Sequence, residues 1–248
     1  MKLPSALVSV LREAHSVVAL TGAGISAESG IPTFRDALTG LWAKFDPADL
    51  ATPEAFARDP ATVTRWYDER RQKCAGAKPN AGHLALAALQ REFLQRGRRF
   101  TLITQNVDRL HQAAGSRDVI ELHGTLWVWR CTQCGEEREE REPFREYPPR
   151  CRCGGTRRPG VVWFGEELPA QAMASAEAAA EDCEVFLSIG TSAVVYPAAG
   201  LAHTARRGGA KVAEVNAQPT DLTPLVDWSI LALAGQALPE LVRRIFDV

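Results

Sequence analysis

The sequence lacks the features that mark membrane-spanning, secreted and nucleic-acid-binding proteins. No apolar run approaches the roughly 20 residues that span a bilayer, and the apolar run near the start is too short for a secretory signal. Without an export signal, a disulfide framework is not expected. The net charge of −1 gives no general attraction to nucleic acid or membrane surfaces. We therefore expect a cytoplasmic protein with no direct nucleic-acid partner and no membrane partner, in which charged ligands are recognised locally.

Short β-branched runs alternate with helical patterns along the chain. The 248 residues, 46% of them hydrophobic, suffice for one large α/β domain with a small module. Six runs are predicted to be buried strands, namely SVVALTGAG from 16, RFTLITQN from 99, VIELHG from 119, EVFLSIGTS from 184, KVAEVN from 211 and SILALAG from 229. The alternation predicts an α/β fold with a doubly wound, Rossmann-like parallel sheet. In such a sheet the ligand lies at the carboxyl ends of the strands.

Two segments interrupt this alternation. Residues 36–78 show helical stretches and no strand pattern, and residues 126–160 contain four cysteines and the charged run EEREEREPFRE. We therefore predict a single domain over residues 1–248, with a helical insertion at 36–78 and a metal-held insertion at 126–160. The plainer interpretation of the charged run itself is a solvated face.

The segment TGAGISAESG follows the first predicted strand. Gly22, Gly24 and Ala27 fit the pattern G-x-G-x-x-G/A, which allows a tight turn and close approach of a pyrophosphate to a helix N-terminus. The acidic residue that dehydrogenases carry about 20 positions further on has no clear counterpart, so hydride transfer is not supported. From the pattern alone, a plain turn is the alternative. The next residues place Phe34 beside Arg35 and predict a mobile flap over a bound cofactor, or else a plain surface loop.

The four clustered cysteines have a zinc-site spacing. Cys131-x-x-Cys134 is followed after 16 residues by Cys151-x-Cys153. Four thiolates complete a tetrahedron and leave no open position, so the predicted Zn²⁺ is structural. The second pair is one residue shorter than the usual C-x-x-C, which leaves open a strained tetrahedron or a further ligand. Four unrelated thiols are the alternative.

Five motifs in order give the sequence a specific resemblance. GAGISAESGIPTFRD, TQNVDRLHQAAG, ELHG, VVWFGE and IGTSAVVYPAAG together resemble the sirtuins, the NAD-dependent protein-lysine deacylases. The resemblance extends from about residue 10 to 245. It implies that NAD is consumed as a co-substrate and that acylated lysine in proteins is deacylated. The products would be free lysine, nicotinamide and O-acyl-ADP-ribose.

The resemblance assigns a catalytic role to one histidine. His123 lies ahead of the cysteines, and by spacing alone a lone histidine there would be structural. Matched to the HG motif of the family, it is the base that accepts a proton from a ribose hydroxyl. A neutral imidazole with a pKa near 6.5 suits that task. The other histidines receive no catalytic assignment, and His83 and His111 are expected to serve packing and hydrogen bonding.

The resemblance also implies a set of NAD-binding residues. Gln105 would contact ribose, Asn106 and Asp108 the nicotinamide pocket, and Asn216 the adenosine ribose. Amide and carboxylate groups can pair with a carboxamide and with hydroxyls. The complete implied set is Gly22, Ala23, Gly24, Ser26, Ala27, Thr33, Phe34, Arg35, Gln105, Asn106, Asp108, Gly190, Thr191, Ser192, Asn216 and Ala234.

Two further segments match the substrate side of the family. The segment VVWFGEELP, with Val162, Trp163, Phe164 and Gly165, resembles the one that pairs with the substrate peptide as an added strand. An ordinary apolar edge strand is the alternative. This would bring the acylated lysine beside residues 161–169.

The nature of the acyl group is implied by a Y-x-x-R pair in the helical insertion. Tyr67 and Arg70 are three residues apart, so they share a helix face, which for an arginine is usually a solvent-facing one. The sirtuin subgroup that removes acidic acyl groups has the same pair, and Arg offers a planar fork for a carboxylate. Ala51 is small where that subgroup keeps room for a longer chain. This resemblance implies desuccinylase and demalonylase activity, with weaker deacetylase activity.

Two other functions compete with this one. An NAD-dependent ADP-ribosyltransferase would use the same pocket, and a non-catalytic NAD-binding or zinc-held interaction module would keep the fold without turnover. The joint presence of His123, Asn106 and Asp108 speaks against the non-catalytic module.

Overall fold

The computed structural model describes residues 3–32 and 50–246. Its strands are β1 Ser16–Thr21, β2 Arg99–Thr104, β3 Ile120–Glu121, β4 Gly124–Cys131, β5 Glu137–Glu139, β6 Arg157–Val161, β7 Val185–Ile189, β8 Lys211–Asn216 and β9 Trp228–Leu231. Its helices are α1 Ser5–Glu13, α2 Gly24–Ala27, α3 Pro53–Arg58, α4 Pro60–Gly76, α5 Ala81–Gln95, α6 Leu110–Ala113, α7 Ala170–Glu181, α8 Gly200–Arg207 and α9 Ala234–Phe246, with a 3₁₀ turn at Thr223–Leu225.

The main sheet has six strands in the order β3-β2-β1-β7-β8-β9, all paired in parallel. The order runs outward in both directions from the β1–β7 pair, which is the doubly wound arrangement predicted from the sequence. At this pair the connections leave toward opposite edges, so the loops after β1 and β7 border a crevice at the carboxyl ends of the strands.

Both faces of the main sheet are covered by helices. Along β1, Val17 and Ala19 belong to a core shared with α1, α5 and α9, whereas Val18 and Leu20 belong to a second core shared with α7 and α8. Successive strand side chains point to opposite faces, and both faces here are apolar and buried. This explains why β1 is a nearly continuous apolar run rather than an alternating one.

Residues 50–78 form α3 and α4, and both helices begin with a proline after a capping residue. Thr52 accepts a hydrogen bond from Ala55 N at 3.1 Å, and Asp59 accepts one from Thr62 N at 3.0 Å. Proline at the first helical position needs no donor partner, and its φ angle suits the helix. The predicted helical insertion is therefore helical over the part of it that the structure describes.

The cysteine insertion contains a second, antiparallel sheet in the order β5-β4-β6. Its strands are not among those predicted from the sequence; β5, for example, has the sequence ERE with all three side chains exposed and no apolar pattern. Most side chains of the charged run face solvent, as its plainer interpretation predicted.

No helix in the described part of the chain is both long and apolar enough to cross a membrane.

Candidate active site

The glycines after β1 pack directly against the loop after β7. Gly24 N donates to Gly190 O at 2.8 Å, and Gly22 N donates to Ile189 O at 3.0 Å. A Cβ atom on Gly22 or Gly24 would lie 2.8 or 2.7 Å from Gly190 O, which is too close for any side chain. Gly190 itself has a φ of +59°, which favours glycine. The three glycines thus bring two loops together at the point where the sheet order reverses.

The loop after β2 is fixed to the glycine loop by buried polar groups. Asn106 Nδ2 donates to Gly22 O at 3.0 Å and to Ser26 Oγ at 3.2 Å. Ser26 Oγ donates in turn to Asp108 Oδ2 at 2.7 Å. Gln105 Nε2 reaches Thr191 Oγ1 at 3.1 Å on the other side of the crevice. Six residues predicted for the NAD site are therefore hydrogen-bonded here, four of them in one network and the other two as a pair across the crevice.

The Asp108 carboxyl is held in a buried setting. Its other oxygen accepts a bond from Leu110 N at 2.9 Å, and the residue is 6% exposed. Burial raises the pKa of Asp108, and the hydrogen bonds from Leu110 and Ser26 oppose that shift. The carboxyl thus keeps defined donors on both oxygens at the floor of the site.

His123 follows β3 and faces the same crevice. Its Nδ1 atom lies 3.1 Å from the Gln105 carbonyl oxygen. A carbonyl can only accept, so Nδ1 of the neutral ring carries the proton and Nε2 keeps a lone pair. Burial lowers the pKa of His123, and the bond to Gln105 partly offsets this. The ring is therefore held as a neutral base, and the geometry leaves Nε2 to accept a proton.

Two further histidines support the site from below. His111 Nε2 lies 2.8 Å from Thr21 Oγ1, and His83 Nε2 lies 3.4 Å from Ser26 Oγ. Their rings are 4.9 Å apart and both side chains are buried. Burial lowers the pKa of His83 to about 4 and of His111 to about 3. They are neutral hydrogen-bonding groups beneath the loops, as the sequence predicted for them.

The remaining predicted NAD residues lie on the same edge. Asn216 ends β8 and donates through Nδ2 to Thr191 O at 2.8 Å. Ala234 is buried at the start of α9, and Ser192 is exposed after Thr191. Ala23 and Ala27 belong to the turn and helix α2 after β1. Thr33, Phe34 and Arg35, and with them the predicted flap, lie outside the described residues.

Tyr67 and Arg70 are not solvent-facing, so the plainer interpretation of this pair is wrong. Tyr67 is 4% exposed, its ring centroid lies 6.3 Å from that of Trp163, and Arg70 Cζ lies 4.8 Å from the Trp66 ring. Burial lowers the pKa of Arg70, and the nearby phenol opposes that shift. Ala51 belongs to the same apolar cluster. The predicted acyl-reading residues thus lie together against the segment predicted to hold substrate.

That segment is not an ordinary edge strand, because β6 ends at Val161. Val162 N donates to His123 O at 3.0 Å, and Phe164 N donates to Ala51 O at 2.9 Å. Trp163 is buried, whereas Phe164 is 49% exposed and Gly165 turns the chain with a φ of +84°. The segment therefore connects the histidine to the helical insertion.

An ion pair that sequence reasoning missed fixes this segment. Arg158 donates to both carboxylate oxygens of Glu166, at 2.6 and 2.9 Å, and Trp163 N donates to Glu166 Oε2 at 2.9 Å. Arg158 Cζ also lies 3.4 Å from the Trp163 ring centroid. The R-x₇-E spacing is the only trace of this pair in the sequence.

The four cysteines converge as predicted. Sγ of Cys131 lies 3.5 Å from Sγ of Cys153, Sγ of Cys134 lies 3.7 Å from Sγ of Cys151, and all four atoms fall within 4.8 Å of one another. Four thiolates bound to one Zn²⁺ would be separated by about 3.8 Å. The cluster therefore fits one structural Zn²⁺ despite the shortened Cys151-x-Cys153 pair.

Comparison with known proteins decides the family. The profile of the Sir2 family matches residues 22–197. This chain belongs to the Sir2 family. It is 53% identical to the NAD-dependent protein deacylase of Aquifex aeolicus over 234 residues, which is 94% of both chains.

Solved Sir2 structures have the same fold over nearly their whole length. A Sir2 homologue in complex with NAD superimposes with a TM-score of 0.93 at 46% identity, covering 99% of this chain and 95% of the other. A Sir2 bound to acetylated peptide gives a TM-score of 0.85 at 32% identity, covering 100% and 98%. The resemblance to NAD-dependent protein deacylases that the sequence motifs predicted is thereby confirmed.

Proposed function

We propose that this NAD-dependent protein deacylase removes succinyl and malonyl groups from lysine in preference to acetyl groups. The observation that carries the acyl preference is the placement of the buried Tyr67 and the half-buried Arg70 on one helix face, with Tyr67 beside Trp163 and Arg70 over the Trp66 ring. The Arg70 guanidinium and the Tyr67 hydroxyl, next to an apolar cluster, can together pair with the carboxylate at the end of an acidic acyl chain.

The energetics favour an acidic acyl group in this setting. Burial makes the charged form of Arg70 less favourable, as its lowered pKa records. An entering carboxylate offsets that cost, because hydrogen bonds to charged groups are worth about 1.5–3 kcal/mol. The Tyr67 hydroxyl supplies a second donor, and burial raises its pKa so that it stays protonated. An acetyl group gains nothing from either residue.

The proposed catalytic role of His123 rests on its tautomer and position. Bound NAD supplies the ribose carbon that accepts the acyl group as nicotinamide leaves. His123 Nε2 takes a proton from a ribose hydroxyl, and Gln105 holds the ring through Nδ1. Asn106 and Asp108, held by Ser26, form the floor of the nicotinamide pocket.

The substrate peptide is proposed to lie along residues 162–165. The exposed Phe164 side chain and the turn at Gly165 border the surface on which an extended peptide is proposed to add as a strand. The solved Sir2 bound to acetylated peptide supports a modified-lysine peptide as the substrate. We also propose that residues 1–248 form one catalytic domain with two insertions. A cytoplasmic location stays a prediction.

The test compares turnover of succinyl-, malonyl- and acetyl-lysine peptides of one sequence by wild type and Arg70→Met. We expect Arg70→Met to reduce kcat/KM for the two acidic acyl peptides by about 10–100-fold and to leave the acetyl rate level or higher. Equal losses on all three peptides would show that Arg70 only supports the helix. Mass spectrometry of the peptides would show gain of ADP-ribose, rather than loss of the acyl mass, if the chain were an ADP-ribosyltransferase.

A further inference from the structure

One carboxylate ties the helical insertion to the cysteine insertion. Asp68 on α4 is 1% exposed and accepts four hydrogen bonds. Two come from Arg71 on the same helix, from Nε at 3.1 Å and from Nη2 at 2.5 Å. The other two come from the cysteine insertion, from Phe144 N at 2.9 Å and from Tyr147 Oη at 2.5 Å. Four donors match the four lone-pair positions of a carboxylate.

Arg71 extends the same connection. It is fully buried, and its Nη2 also donates to Glu142 O at 2.6 Å. Its Cζ atom lies 4.9 Å from the centroid of the Phe144 ring and 5.7 Å from that of Trp129, a residue of β4. Glu142, Phe144 and Tyr147 all lie between the two cysteine pairs, so their positions depend on the loop that the cysteines close.

Helix geometry links these contacts to the acyl-reading residues. Each residue of an α-helix is rotated by roughly 100° from the one before. Asp68 and Arg71 therefore follow Tyr67 and Arg70 by one residue each and occupy the adjacent face. A rotation of α4 that moved the first pair would move the second pair by the same angle. The contacts that Asp68 and Arg71 make with the cysteine insertion therefore fix the rotation of α4, and with it the direction in which Tyr67 and Arg70 point.

We propose that Asp68 and Arg71 are positioning residues through which the cysteine insertion holds Tyr67 and Arg70 in register with the acyl group. This inference rests on the proposed acyl preference. The structural Zn²⁺ site then has a part in substrate choice, because it fixes the loop that carries Phe144 and Tyr147. A purely stabilising role would instead affect all acyl substrates alike.

Tyr147→Phe is the sharper test, because it removes one hydroxyl and keeps the ring. We expect KM for a succinyl-lysine peptide to rise about tenfold, as for loss of one bond to a charged group, with kcat, KM for the acetyl-lysine peptide and zinc content unchanged. Asp68→Asn should act in the same direction, but it leaves the Arg71 cation without its counterion and can disturb folding. Gln72→Ala is the matched control, because Gln72 reaches the same insertion through a weak, exposed bond of 3.4 Å to Arg141 O. It should leave the succinyl-to-acetyl ratio unchanged.

Arg70→Met, measured in parallel, separates the two proposals. If Arg70→Met lowers the succinyl-to-acetyl ratio and Tyr147→Phe does not, the positioning role is overturned and the acyl preference stands. If Arg70→Met leaves the ratio unchanged, the acyl preference is overturned. Hydrogen exchange of amides 67–74 then tests separately whether the cysteine insertion holds α4 in place. The positioning role requires faster exchange in Tyr147→Phe than in wild type, and unchanged exchange in Gln72→Ala.

Discussion

His123 is held at both ends by different parts of the site. Its ring Nδ1 lies 3.1 Å from Gln105 O in the loop after β2, and its main-chain oxygen accepts a hydrogen bond from Val162 N at 3.0 Å. The first contact sets the tautomer, and the second aligns the residue with the segment proposed to hold the peptide. One residue thus connects the NAD side of the site to the substrate side.

His123→Ala should therefore abolish deacylation and spare the fold. Removing a general base costs about 10²–10⁴-fold in rate, and NAD binding should persist because the glycine loop and Asn106 do not depend on the imidazole. Turnover with an acyl peptide and NAD affinity by calorimetry measure the two effects. His15→Ala is the control, since His15 is exposed and precedes β1 at the opposite end of the sheet. Near-full turnover of His123→Ala would refute its role as the base.

The sequence predicted the main sheet well because its strands carry their own signal. Most of the six are rich in apolar or β-branched residues and are followed by a small or polar residue, although β3 is only the two residues Ile120–Glu121. The converging cysteines followed from spacing. The cluster of Asp68, Arg71 and Tyr147 could not be predicted, because its members are up to 79 residues apart and charged or polar residues are usually exposed. Only the folded chain shows that they lie together, with Asp68 and Arg71 buried and Tyr147 half-buried.

The two buried histidines should make the folded state sensitive to acid. The unfolded values lie near 6.5, whereas burial lowers the pKa of His83 to about 4 and of His111 to about 3. At pH values between the folded and unfolded pKa values, the unfolded chain binds more protons than the folded chain. The stabilisation that depends on the two neutral histidines is therefore complete above pH 6.5 and decreases as the pH falls toward 4. Each histidine adds up to about 1.4 kcal/mol per pH unit to the slope.

Urea unfolding between pH 7 and 4.5 measures this slope. His83→Asn and His111→Asn should each show a shallower decrease in unfolding free energy than wild type, although each is less stable at pH 7. The raised pKa of Asp108 acts with the opposite sign, but it is common to all variants and cancels in the comparison. His15→Asn, which changes an exposed histidine outside this pair, is the control. Parallel pH profiles for all proteins would contradict the assignment of acid sensitivity to this pair.

Gly24→Ala should impair NAD binding. The added Cβ would lie 2.7 Å from Gly190 O and 2.8 Å from Gly190 Cα, and neither backbone atom can give way without separating the two loops. We expect the Kd for NAD to rise about tenfold or more, since a shift of 1.4 kcal/mol suffices. Calorimetry measures it. Gly76→Ala is the control, because open space surrounds that position. An unchanged Kd in Gly24→Ala would show that close contact of the loops is not needed.

Arg157 should determine how firmly the cysteines retain zinc. Four thiolates around Zn²⁺ carry a net charge of −2, and the Glu136 carboxylate adds to it at 3.1 Å from Cys151 Sγ. Arg157 contacts both groups, with Nη2 at 2.9 Å from Glu136 Oε2 and 3.7 Å from Cys151 Sγ, and its side chain is 5% exposed. Removing a hydrogen-bonding partner of a metal ligand typically costs about 10–100-fold in metal affinity.

Arg157→Leu should therefore release zinc to a colorimetric chelator about 10–100-fold faster than wild type. Arg150→Leu removes the same charge from the residue before Cys151, but that guanidinium is exposed and donates to Thr156 Oγ1 at 3.2 Å. Its release rate should stay near that of wild type, which separates direct contact from long-range charge. Equal release from Arg157→Leu and wild type would mean that the four sulfur atoms alone suffice. Equal acceleration in both variants would assign the effect to net charge rather than to the Arg157–Cys151 contact.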